Sequence, residues 1–207
     1  MQSEGMTTVP GDAQGKLRPS DLMSLERYAR ERSDFRAKII AHKKSRTLPV
    51  GPNATWCFED RLTIQYQVQE MLRIEKIFEP DGIREELESY NPLIPDGTNW
   101  KATLLIEYAE PVERKARLAK LRGVEDRCWV QIAGCERVYA IADEDLDREN
   151  EEKTSSVHFL RFELDAGMRR ALADGAAVSL GIDHEAYDYE VSPLPDRVRD
   201  SLINDLA

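Results

Sequence analysis

The chain has 207 residues, 41% hydrophobic and 33% charged, with a formal net charge of −10. One core serves this length without metal or disulfide staples, and the negative balance argues against non-specific nucleic-acid binding, because phosphates would be repelled by the overall field. Three cysteines, Cys57, Cys128 and Cys135, form no C-x-x-C pair and leave an odd count, which argues against a disulfide framework and for reduced thiols. No apolar run approaches the roughly 20 residues that span a bilayer. Residues 1–15 lack the basic start and apolar stretch of a secretory signal, so a cytoplasmic setting is expected.

Residues 1–16 are rich in Gly, Ser, Thr and Pro and are expected to form a loose tail ahead of a single domain over 17–207. Ser20 is a good N-cap, and Leu22, Leu25 and Ala29 follow at helical spacing. Ser33 and Asp34 either break this helix or restart it, before Phe35, Ile39 and Ile40 supply the next apolar face. Pro49, Gly51 and Pro52 stop any helix after a basic stretch at 42–46. Over 58–78 the periodicity is ambiguous. Alternation of Leu62, Ile64, Tyr66 and Val68 predicts a strand entering a helix near Gln69, with one long helix as the alternative. A short helix is expected over 83–90, capped by Asp81 and ended by Asn91-Pro92.

Trp100, Ala102, Leu104, Ile106 and Tyr108 then alternate as a strand. Pro111 opens a helix that Gly123 stops, and strands at 127–132 and 137–141 make a hairpin around Gly134. An acidic connection covers 143–152. A strand at 157–164, a helix from Asp165 to Leu172, a strand at 177–182, a short strand at 187–191 and a helix from Asp196 complete the chain. Helices and strands are interspersed without a βαβ rhythm. The expected fold class is therefore α+β, with a mixed or antiparallel sheet and flanking helices.

Phosphate-binding G-x-x-x-x-G-K-[ST], dinucleotide-binding G-x-G-x-x-G, G-x-S-x-G and H-E-x-x-H are all missing. His158 shares a strand face with Leu160, Phe162 and Leu164 and should point inward. His184 follows the strand ending at Ile182, within Asp183-His184-Glu185. If the two strands are antiparallel neighbours, His158, His184 and Asp183 converge as ligands for a divalent metal such as zinc or iron. If they are parallel, the histidines sit at opposite ends. The plainer reading, and the favoured one, is a hydrogen-bonded core histidine and a separate turn histidine.

Glu59, Asp60, Glu70 and Glu75 make no two-carboxylate motif; Glu59 and Asp60 read as ion-pair partners or a helix start. The basic stretch of Arg36, Lys38, His42, Lys43, Lys44 and Arg46 is a candidate for docking an acidic partner or a phosphate, with Lys43, Lys44 and Arg46 as its centre, and is opposite in sign to the run at 143–152. Cys128 and Cys135 lie on or beside the hairpin, where two reduced thiols are the simpler expectation.

Several peptides carry a resemblance: IIAHKKSRT, FEDRLTIQYQVQEMLRIEKIFE, ELESYNPLIPDGTNWKATLLIEY, YAIADEDL, EEKTSSVHFLRFEL and LGIDHEAY. Through them the chain resembles the bacterial domain-of-unknown-function family 3501 over nearly all of 17–206. Members of that family tend to be encoded near rubrerythrin-like and iron–sulfur oxidoreductase-like proteins. The resemblance implies an accessory protein whose partner is a redox or iron-containing protein, and it carries no catalytic residues across. A small metal-dependent enzyme using His158 and His184 with a nearby carboxylate is the alternative.

Overall fold

The computed structural model describes residues 15–144 and 153–206. Among these, six α-helices and two antiparallel sheets make an α+β fold. The expected loose tail lies outside the described residues except at 15 and 16. Order is already firm at Leu17, which is buried and whose N–H and C=O are both held by the Asn91 side chain, at 2.8 and 3.0 Å.

Helix α1 spans Leu25–Lys43, four residues later than Ser20 suggests, because Ser24 is the residue that caps it by accepting from Arg27 N. It runs through Ser33-Asp34 without a break. A hairpin follows that turn residues alone hid: β1, Thr47–Val50, and β2, Ala54–Phe58. Pro49 is tolerated because β1 lies at the edge of its sheet.

The ambiguous segment resolves as helix α2, Arg61–Glu75, rather than a strand entering a helix. Asp60 caps it by accepting from Thr63 N at 2.8 Å. Ile64, Val68 and Leu72, four apart, are its buried stripe. The alternation at 62–68 was two residues of that stripe interleaved with less buried neighbours.

Helix α3 (Pro80–Tyr90), strand β3 (Asn99–Ile106) and helix α4 (Pro111–Lys120) lie close to expectation, except that α3 starts at Pro80 and carries Asp81 in its first turn rather than as its cap. So does the hairpin of β4 (Cys128–Ile132) and β5 (Arg137–Tyr139) around Gly134, whose φ of +83° suits glycine. The expected strand at 137–141 is divided, however. After Ala140 the chain changes sheets, and β6, Ile141–Ala142, pairs with β7, Val157–Glu163. Helix α5 (Ala166–Ala173), strands β8 (Val178–His184) and β9 (Tyr187–Val191), and helix α6 (Asp196–Ile203) complete the fold.

The strand orders are β1-β2-β3-β7-β6 and β5-β4-β8-β9. The inward faces of both sheets share one apolar core, with Trp56, Phe58, Trp100 and Phe162 from the first and Val130, Ile132, Leu180 and Ile182 from the second. Trp56 stacks on Phe162 at 5.4 Å, and the Trp100 indole N–H donates to Leu202 O at 2.9 Å. A separate cluster joins α2 and α3 through Ile64, Val68, Leu72 and Leu87. The molecule is thus a two-sheet sandwich with a helical layer on the outer face of the first sheet.

Candidate functional site

The change of sheet at Ala140 places three acidic or basic side chains together. Glu125 sits in the 3-10 turn entering β4, Asp143 follows β6, and His158 is the second residue of β7. Asp143 N donates to Phe159 O, and Asp143 Oδ1 accepts from Phe159 N, both at 2.9 Å. This extends the β6–β7 ladder by one residue and turns the other carboxylate oxygen towards the ring. Asp143 has φ +48°, in the left-handed region that aspartate tolerates better than most residues.

His158 is fully buried, on the inward face shared with Leu160 and Phe162. Nδ1 lies 2.6 Å from Asp143 Oδ2, and Nε2 lies 3.1 Å from Ser155 O. A carboxylate only accepts, so Nδ1 carries a proton, while Nε2 faces the Ser155 carbonyl, which only accepts, and the Thr154 hydroxyl, which can donate or accept. Burial alone would push the imidazole down. The Asp143 hydrogen bond, the charges of Glu125 and Asp143 and the Ser155 carbonyl outweigh it and hold the group above its ordinary value. Around Nε2 stand Thr154 Oγ1 at 3.0 Å and Glu125 Oε2 at 3.8 Å, and those two oxygens are 3.4 Å apart. One ligand atom each from Glu125, Asp143 and His158 lies within 4.8 Å of the others, with Asp143 on the Nδ1 side of the ring and Glu125 on the Nε2 side.

His184 and Asp183 are elsewhere. Strand β8 belongs to the other sheet, so the neighbouring antiparallel strands that a shared His158–His184 site requires do not occur. His184 Nε2 faces Arg122 O at 3.0 Å, and Nδ1 accepts from Ala186 N at 3.1 Å, which occupies one nitrogen on the segment after α4 and the other within its own turn. Adjacent strand residues point to opposite faces. Asp183 accordingly points away, accepting from Tyr139 OH at 2.6 Å and pairing with Arg127 at 2.9 Å.

The basic stretch divides as well. Lys44 is exposed and Lys43 half-buried. Arg46 corrects the expectation of a solvent-facing patch, since it is buried, donating to Phe58 O at 3.0 Å and Glu59 O at 2.9 Å and ion-paired with Asp205. Among the carboxylates, Glu59 accepts from Thr63 and Thr103, Asp60 caps α2 and faces His42, and Glu70 takes two bonds from Arg32. All three thiols are free. Of the acidic run, Asp143 joins the His158 cluster and Glu144 pairs with Arg161, while 145–152 lie outside the described residues.

Glu125 and Asp143 escaped sequence reasoning because they come from turns 33 and 15 residues before His158 in the chain. One signal pointed their way: an inward-facing histidine must find polar partners.

The family described as "Protein of unknown function (DUF3501)" matches residues 16–206. The chain belongs to this family. A solved crystal structure of a novel protein of unknown function from Burkholderia pseudomallei K96243 is 49% identical to this DUF3501 chain. The match covers 93% of this chain and all of that one, with a TM-score of 0.89. No curated protein matches.

Proposed function

We propose that the protein is a non-catalytic accessory protein of a redox or iron-handling system, and that it holds a divalent metal at His158. The observation that carries the metal reading is the shell around Nε2. Ligand bonds of about 2.0–2.2 Å put neighbouring donors roughly 3–3.5 Å apart; Thr154 Oγ1 and Ser155 O lie 3.0 and 3.1 Å from that nitrogen, with Glu125 Oε2 just outside that range at 3.8 Å. Nε2 would hold the metal through its lone pair, and Asp143 on Nδ1 would orient the ring, as carboxylates behind metal-bound histidines do. One imidazole with several oxygens suits zinc, iron(II) or manganese. The burial of His158, Thr154 and Glu125 favours a closed, structural site over a catalytic one with an open position.

The redox link is what the family resemblance implies by association, and Lys43 and Lys44 are the proposed contacts to an acidic partner. His184 and Asp183 are proposed as supports of their own turn and sheet face.

Calorimetry of chelator-stripped protein with zinc, manganese and, anaerobically, iron(II) tests the metal reading. His158→Ala and Glu125→Gln should abolish binding, Asp143→Asn should weaken it about 10- to 100-fold, and His184→Ala should leave it unchanged. Stripped wild type that binds none of the three ions, or His158→Ala that binds as tightly as wild type, would refute the site.

A further inference from the structure

The helical layer meets the first sheet across a cleft rather than a continuous core. The apolar cluster of α2 and α3 is separate from the sandwich core. Between them lies a cavity of about 470 Å³. Close-packed interiors hold few voids larger than a water molecule, whereas this volume is within the range of small-molecule sites. Met71 of α2, Tyr90 at the end of α3, Leu93 in the turn after it, and Phe159 of β7 form its apolar wall. A second cavity of about 260 Å³ borders the same Tyr90, Leu93 and Phe159, so the apolar wall continues along the sheet face.

Two cations enter the larger cavity, and they differ. Arg161 is committed: its guanidinium makes two bonds of 2.7 Å to Glu144 and another to Glu163. Lys101, half-buried on β3, has as its hydrogen-bond partner the Pro92 carbonyl, which is neutral. The carboxylates that act on it from a distance are engaged elsewhere, Asp96 with Thr98, and Glu144 and Glu163 with Arg161. Glu86 also lines the cavity. Burial first, then the nearby Glu75 and Glu85, make it harder to ionise, which lessens its opposition to an anion.

We propose that this cleft binds a small apolar carboxylic acid, with the carboxylate on the Lys101 ammonium and the hydrocarbon or aromatic body against Met71, Tyr90, Leu93 and Phe159. An ammonium within an apolar wall recognises an anionic head and an apolar body together, because the charge-assisted bond strengthens as water leaves. Burial already disfavours the charged form of Lys101, and a bound carboxylate relieves that penalty. The site is separate from His158, so its success or failure does not depend on the metal reading.

The test is calorimetric titration of the full chain with octanoate and, as the neutral analogue, 1-octanol. Octanoate should bind saturably at one site, with octanol at least about tenfold weaker, in keeping with the loss of a charge-assisted hydrogen bond. Lys101→Met should weaken octanoate by a similar factor without changing the melting temperature. Met71→Trp, which fills the cavity, should remove binding; Leu93→Trp serves if that variant melts early. Absence of saturable octanoate binding, equal affinity for octanol, or undiminished affinity in Lys101→Met would each overturn the proposal.

Discussion

Replacing Arg46 with Met should unfold the protein at a markedly lower temperature. The side chain is 2% exposed and ties the end of β2 to the C-terminal segment, donating to Phe58 O, Glu59 O, the Ser201 carbonyl and hydroxyl, and the Asp205 carboxylate. Its removal leaves Asp205 buried beside several carbonyls with no donor in place of the arginine. Breaking a buried pair from one side costs about 3–5 kcal/mol, and for a domain of this size each kcal/mol moves the midpoint by roughly 2–4 °C. The expected fall is therefore about 6–20 °C.

The pH dependence has a definite sign. Burial pushes the Asp205 carboxyl up to about 6 against the pull of Arg46. A carboxyl raised in the fold favours its protonated form there, so ionising it lowers stability as pH rises from the unfolded value near 4 to about 6. Without Arg46 the group rises further. The deficit of Arg46→Met should then be smaller at pH 5 than at pH 8. Thermal melts of wild type, Arg46→Met, Asp205→Asn and the double variant at both pH values measure this. The double variant should lose less than the sum of the single losses. Strict additivity, or an Arg46→Met loss below about 1 kcal/mol, would refute the reasoning.

Glu70 works in the opposite direction. The Arg32 hydrogen bond, helped by Tyr28 and Arg73 and opposed by burial, holds its carboxyl down at about 2. Its stabilising effect is therefore complete above the unfolded value near 4.3 and is lost as pH falls towards 2. Glu70→Gln should destabilise at pH 7 by roughly 1–3 kcal/mol and by much less at pH 3, read from denaturant midpoints; equal losses at both would contradict this assignment. Gly181→Ala should cost about 1–3 kcal/mol or more, because the added methyl would lie 2.7 Å from both the Trp129 ring and the Tyr189 carbonyl. An unchanged melting temperature would mean that Trp129 moves aside freely.

Much of the fold was legible in the chain. The α+β class, the hairpin around Gly134 and the strand at 157–164 follow from local signals: alternation, turn glycines and capping aspartates act between residues a few positions apart. Where two periods overlap, as at 62–68, local pattern could not choose, and the Asp60 cap together with packing of Ile64, Val68 and Leu72 made the helix. The inward direction of His158 was also legible, because strand parity alone sets it. Its partners were not. Glu125 and Asp143 reach it only because the chain changes sheets at Ala140, and strand order is decided by long-range pairing that no local spacing encodes. The same cause separates His184 from His158 and turns Arg46 from a surface cation into a buried tie to Asp205. Sequence determined which strand side chains face inward, by parity; the order of strands and the closing of the two sheets on one core decided which of them meet, and that Arg46 is buried with them.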